Sequence, residues 1–343
     1  MAGRRITLVG GAGFIGNHLA LALKAQGAEV SVVDNLMVNN LMSFISSENC
    51  AVNKDWYLSF LGGRIEALRK VGIPLYIQDA RDYHALTKVL KSLSPQVVVH
   101  LAAVAHANLS NKDPYSTFDH SFRTLENCLD YSRNNIEHFI YFSSSMVYGN
   151  FKDGLVDEES PCDPIGIYGS LKFGGEKLVI AYQQAFDMPY TIIRPSALYG
   201  ESCVSNRVGQ IFIEKAIKGQ EITIQGDGSD RLDFTYIQDL VNGATRVITH
   251  KKAHNQIFNL TYGESRSLED VVSIVRQHFP EISVSYVKKD KLTPKRGTLS
   301  VEKARRLIGY DPAWPIEKGF ARYIEWYKEL SCGREGGISS VTD

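Results

Sequence analysis

The stretch that decides the fold is I-T-L-V-G-G-A-G-F-I-G, from Ile6 to Gly16. Ile6 to Val9 is a short apolar run of the kind found in parallel strands buried on both faces. Glycines follow at Gly10, Gly13 and Gly16, and a helical pattern then opens with Phe14, Ile15, Leu19, Leu21 and Leu23 apolar. So tight a turn needs a residue without Cβ, and a pyrophosphate approaches backbone closely only where side chains are missing. The helix N-terminus behind the turn offers unpaired N–H groups and a positive dipole end. Strand, glycine turn and helix in this order form the context in which such spacing signals dinucleotide binding.

Outward from that unit, Glu29 to Val33 reads as a second strand with Asp34 at its end and Asn35 next. A carboxylate there accepts both hydroxyls of an adenosine ribose and repels a 2′-phosphate, so NAD is expected rather than NADP. A third short strand, Leu75 to Gln78, ends in Asp79-Ala80-Arg81-Asp82. Asp79 can accept from the adenine amine, or an acid here can cap the next helix; both hold if Asp82 is the cap. Val97 to Leu101 is the fourth strand, and Ala102 and Ala103 after it leave room for a ligand. His106 and Ser110 fall in the next expected loop, beside the nicotinamide half, with His106 a candidate substrate contact. The expected cofactor-binding residues are therefore Gly10, Gly13, Phe14, Ile15 and Gly16 on the turn. Asp34 and Asn35, Asp79 and Ala80, and Leu101, Ala102 and Ala103 join them at later strand ends, as do Tyr168 and Lys172.

Strands and helices keep alternating, which predicts an α/β fold: a Rossmann-type, doubly wound, mostly parallel sheet with a smaller C-terminal α/β substrate domain. Residues 1–180 are expected to form the NAD-binding domain, with strands near 190–195 and 256–260 returning to it. Residues 181–330 are expected to form the interleaved substrate domain, and 331–343 a disordered tail. The connection from Leu36 to Val71 is long. Its second half carries Trp56, Phe60, Leu61, Ile65 and Leu68 at helical spacing, although Gly62 and Gly63 weaken a helix there. Its first half reads as a loop or short helix near the adenosine end.

The chain has 343 residues, and its 38 Lys plus Arg balance 38 Asp plus Glu, which argues against nucleic acid or an anionic membrane as partner. Five cysteines, an odd number with no close pair, suggest neither a disulfide framework nor a zinc site. No apolar run approaches the ~20 residues that span a bilayer. A reduced, cytoplasmic protein without a metal is expected.

Ser143-Ser144-Ser145 ends the fifth strand, Phe139 to Phe142, and Tyr168-Gly169-Ser170-Leu171-Lys172 opens a later helix. Tyr168 and Lys172, four apart, share a helix face. A phenol with an ordinary pKa of about 10 is a poor base at neutral pH, and a nearby ammonium favours the phenolate. Lys172 can supply that charge and hold the nicotinamide ribose. A strand-end serine can position the substrate oxygen while the phenol takes its proton and NAD takes the hydride.

At this point the sequence resembles a family. G-G-A-G-F-I-G, D-N-L, D-A-R-D, H-L-A-A, S-S-S-M-V-Y-G, Y-G-S-L-K, R-P-S-A-L-Y-G, D-F-T-Y-I-Q-D-L and R-G-T-L-S resemble the extended short-chain dehydrogenases that act on nucleoside-diphosphate sugars, over Ile6 to about Leu330. The resemblance implies tightly held NAD, a nucleotide sugar as substrate, with UDP the commonest nucleotide, and a homodimer. It implies Ser144, Tyr168 and Lys172 as catalytic residues, Arg296 on the diphosphate, and substrate positions at Ser145, Ala197, Arg207 and Arg231. Family dehydratases carry Asp and Glu where this chain has Ser145 and Met146, and methionine transfers no proton, so the epimerase branch is expected. Other departures are Ala197 for an Asn, His120 for an Asn, and Leu232 for an Arg, with Arg231 one place earlier. The expected reaction is inversion at C4 of a UDP-hexose or UDP-uronic acid through a 4-keto sugar. The alternatives are a net C4 oxidoreductase, a dehydratase, and a non-catalytic NAD-binding protein.

Overall fold

Buried parallel strands need apolar side chains on both faces, and the continuous Val/Ile/Leu runs supply them. The computed structural model describes residues 1–45, 53–104, 107–152, 154–289 and 293–335. Seven strands, β1 (Arg5–Val9), β2 (Glu29–Asp34), β3 (Leu75–Ile77), β4 (Val97–His100), β5 (His138–Phe142), β6 (Tyr190–Arg194) and β7 (Gln256–Asn259), form one parallel sheet. Their order is β7-β6-β5-β4-β1-β2-β3. Val9 stands beside Val33 on one side and His100 on the other. The winding reverses at β1 and β4, and a crevice opens outside their carboxyl ends.

Successive strand residues point to opposite faces. Leu8, Val32 and Val99 lie in one core, and Val9, Val33 and Val98 in the other. Three helices carry the site: α1 (Phe14–Ala25), α2 (Lys54–Lys70) and α3 (Gly166–Phe186). α1 covers the first face through Leu19, Ala20 and Leu23, together with Leu240, Ala244 and Val247 of the helix Ile237–Thr249. Val179 of α3 packs on the second face with Leu86, Leu90, Leu125 and Leu129. Beyond the sheet a smaller lobe gathers the helices Val208–Ile217, Leu268–His278 and Ile316–Glu335 around Phe212, Val271, Val275, Phe320 and Tyr323. Among the described residues four two-stranded pairings accompany the sheet, such as Val284–Val287 parallel to Ile222–Gln225.

α2 runs unbroken through Gly62 and Gly63, both exposed, with open space around each Cβ position. Their cost is one of propensity alone, about 1 kcal/mol each. Tyr57, Phe60 and Leu61 pack into the smaller lobe, whereas Leu68 packs against the sheet. Burying such side chains contributes roughly 1.5–3 kcal/mol apiece. The carboxylate of Glu214 fixes the join: it accepts from the Tyr57 hydroxyl at 2.8 Å and the Tyr327 hydroxyl at 2.7 Å.

Two local expectations need correction. The last helix continues to Glu335, five residues into the segment expected to be disordered, because the helical repeat does not stop at Leu330; residues 336–343 lie outside the described residues. Ser110 lies in a short helix, Ala107–Lys112, not in a loop.

Candidate active site

The glycine turn works by close approach. Gly10 has φ +80°, and a Cβ there would lie 2.5 Å from the Ala102 nitrogen, so only glycine lets the first turn meet the end of β4. A Cβ at Gly13 would meet only the Gly10 carbonyl oxygen, at 3.4 Å. Gly13 also caps α1 without a side chain, and no acid occupies the first turn, so the first N–H groups of α1 keep their affinity for an anion.

An open cleft lies over this turn. Gly10, Gly13, Phe14, Ile15, Gly16, Asp34, Asn35, Asp79, Ala80, Leu101, Ala102 and Ala103 all line it. The cradle at Gly13 and the uncapped helix end fit a dinucleotide. Asp34 accepts from the backbone N–H of Ala12 at 3.0 Å and of Leu36 at 2.7 Å, and burial raises its carboxyl above the usual range against those bonds. Burial also acts upward on Asp79, but the Arg81 side chain and N–H outweigh it and hold the carboxyl down to about 2. Asp82 caps the following helix, accepting from Ala85 N–H at 3.0 Å.

The catalytic candidates come from β5 and α3. Ser144 is buried and extended, and its Oγ accepts from Met146 N–H at 3.2 Å, capping the turn Ser145–Tyr148. A Cβ at Gly175 would lie 2.4 Å from the Tyr141 hydroxyl, so α3 approaches β5 closely because glycine stands there. Tyr168 is half-buried on the first turns of α3, and among the described residues no hydrogen bond reaches its hydroxyl. Lys172 is buried one turn later. Its Nζ donates to the Phe142 carbonyl at 2.7 Å and lies 5.0 Å from the Tyr141 ring centroid. Burial takes this ammonium down to about 7, against the opposing charge of Glu176. Among the described residues Lys172 Nζ is bonded to the Phe142 carbonyl, and no hydrogen bond joins it to Tyr168.

Behind them lies a closed polar network. Glu176 and Arg194, both almost wholly buried, pair through two hydrogen bonds of 2.9 and 2.7 Å. Ser143 Oγ donates to the same carboxylate, and Arg194 donates to the Tyr148 hydroxyl, which donates to Asn259. The network fixes the carboxyl ends of β5, β6 and β7 relative to α3.

The expected substrate residues do not share one place. The Arg296 guanidinium donates to Ser145 Oγ, to Met146 Sδ at 2.8 Å and to Ser196 Oγ at 3.4 Å, beside Ser144. Ala197 is half-buried with φ +34°, and its carbonyl accepts from Thr235 N–H. Arg207, expected on the substrate, lines the cleft over the glycine turn. Arg231 is exposed and donates to Ser265 Oγ at 3.1 Å. His106 lies outside the described residues. The cleft also takes in Arg64, His120, Thr124, Leu198, Val204 and Ser205, which sequence reasoning missed. Arg64 carried a signal: a charge on the apolar stripe of Tyr57, Phe60, Leu61 and Leu68.

A family model described as the NAD dependent epimerase/dehydratase family matches residues 6–261. The chain belongs to that family. Among relatives, UDP-glucuronate 4-epimerase 4 of Arabidopsis thaliana is 26% identical over 355 residues, covering 96% of this chain and 77% of that protein. The dTDP-D-glucose 4,6-dehydratase of Homo sapiens is 27% identical over 336 residues, covering 95% and 90%. The crystal structure of UDP-glucuronic acid 4-epimerase from Bacillus cereus, in complex with UDP-glucuronic acid and NAD, is 25% identical with a TM-score of 0.83, covering 95% of this chain and 99% of that one. Family membership includes dehydratases, yet here the Met146 thioether faces Arg296 where a proton-transferring acid would be needed.

Proposed function

We propose that the chain is an NAD-dependent epimerase that inverts C4 of a UDP-hexose or UDP-uronic acid. The observation that carries this reading is Tyr168 and Lys172 on one face of α3, at the strand end bearing Ser144, with Ser145 and Met146 in place of an acid pair. The UDP-sugar 4-epimerases among its relatives support the substrate class.

Gly10, Gly13 and Asp34 hold the dinucleotide, and bound NAD supplies reversible hydride acceptance at the sugar carbon. Tyr168 removes the C4 hydroxyl proton and later returns it. Ser144 holds the same oxygen, and Lys172, anchored by its Nζ to the Phe142 carbonyl at the end of β5, binds the nicotinamide ribose. Arg296 holds an anionic part of the substrate with its planar fork. Tethered by its nucleotide, the oxidised sugar turns over and presents its opposite face. No net redox occurs, so the cofactor stays.

We further propose a cytoplasmic homodimer. Leu109, Tyr115 and Phe118 are exposed on two short helices packed near α3, and Tyr115 is 82% exposed. Among the described residues no helix is long and apolar enough to cross a membrane.

The test is conversion of UDP-glucuronic acid or UDP-glucose by purified protein in D2O without added NADH. The expected product is the C4 epimer with no deuterium at C4, and Tyr168→Phe lowers turnover by about 10²- to 10⁴-fold. Deuterium at C5, or stoichiometric NADH production, would refute the epimerase reading.

A further inference from the structure

Arg64 is a buried cation without an adequate partner. It is 3% exposed, lies on α2, and lines the dinucleotide cleft. Its Nη2 donates to the Ser202 carbonyl in the smaller lobe, while Nε and Nη1 have no hydrogen-bond partner among the described residues. Its position is fixed from both sides. The Asn17 side chain of α1 donates to the Arg64 carbonyl at 2.9 Å, and the guanidinium carbon lies 6.0 Å from the ring centroid of Phe14, the first residue of α1.

Among the described residues no carboxylate makes a hydrogen bond or ion pair with it. Asp34 instead accepts one backbone N–H on each oxygen, from Ala12 and from Leu36. Burial therefore pulls the guanidinium down to about 10, although Asp34 and Cys203 oppose the fall. A buried cation with two unmet donors is unfavourable unless an anion arrives to meet them. The anionic part of a dinucleotide is its diphosphate, and the Gly13 cradle sits at the same helix end as Phe14.

We propose that Arg64 is a clamp on the cofactor diphosphate, adding its free donors to the N–H groups of the glycine turn. The inference rests on the NAD-dependent reading above. Arg64 offers two donors in the fork geometry that suits a phosphate, and its third nitrogen stays tied to Ser202. The lobe that receives the sugar is thereby fastened over the cofactor. Such a fastening suits an enzyme that never exchanges its cofactor during turnover.

The test compares the full chain, stripped of cofactor, with Arg64→Met and Arg64→Lys. Titration calorimetry reads NAD and ADP-ribose binding, NMR reads adenosine binding, and urea melts check each fold. The clamp predicts a loss of about 10- to 100-fold for NAD and ADP-ribose in Arg64→Met, with adenosine affinity unchanged. Arg64→Lys should recover part of the loss, since a point charge replaces the fork. Should Arg64→Met fail to fold, Arg64→Lys alone must weaken NAD binding relative to adenosine. NAD affinity within twofold of wild type, or equal losses for NAD and adenosine, overturns the clamp while the NAD reading stands. A wild-type chain that binds no NAD overturns both.

Discussion

Lys172 gives the sharpest physical test of the site, because its burial should be visible in stability as well as in catalysis. Its ammonium falls from an ordinary value of 10.5 to about 7. At about 1.4 kcal/mol per pH unit, that represents about 5 kcal/mol of preference for the neutral amine in the fold. Below pH 7 the group is charged in both the folded and unfolded chain, and the burial cost is felt in full. Between pH 7 and 10.5 the folded amine is neutral while the unfolded one keeps its proton, so stability rises with pH. Replacement by methionine, of similar length and without a charge, removes this gain. Urea unfolding of cofactor-free wild type and Lys172→Met at pH 7, 8 and 9 measures it. Relative to the variant, the wild type should gain about 2 kcal/mol between pH 7 and 9. Tyrosines and other lysines that titrate at higher pH are common to both proteins and cancel. Parallel pH profiles would refute the claim that this amine is held neutral by burial against the end of β5.

Two further outcomes follow from the same geometry. Glu176→Gln breaks a buried bidentate pair and leaves Arg194 charged without a counterion, so urea melts should register a loss of about 3–5 kcal/mol; a loss below 1 kcal/mol would contradict the closed network. Gly10→Ala sets a Cβ at φ +80° and 2.5 Å from the Ala102 nitrogen, so it should cost about 1–3 kcal/mol in stability and abolish NAD binding by calorimetry.

What could be read from the chain itself was whatever local spacing determines. The glycine turn, Asp34 at a strand end, and Tyr168 with Lys172 on one helical face depend on intervals of a few residues, and the cleft gathers the turn residues as spaced. Arg64 and Val204 come to the same cleft through the docking of α2 and of the loop before residue 208, which no interval records. The pairing of Leu198–Tyr199 with Thr235–Tyr236 is only two residues long, too short for periodicity to register. Lys172 shows the limit most clearly: four-residue spacing implied an ammonium aimed at Tyr168, whereas the carbonyl of Phe142 captures it. Arg207, expected among the substrate residues, lines the cleft over the glycine turn.

The last strand of the sheet, β7, is supplied by residues 256–259, after most of the smaller lobe has been laid down. During synthesis the sheet cannot be completed until Asn259 has left the ribosome, and until then β6 offers a bare apolar edge containing Ile192 and Ile193. A chain cut before residue 256 would leave the sheet without its last strand. A nascent chain halted short of that point would be an aggregation hazard and a natural client for chaperones.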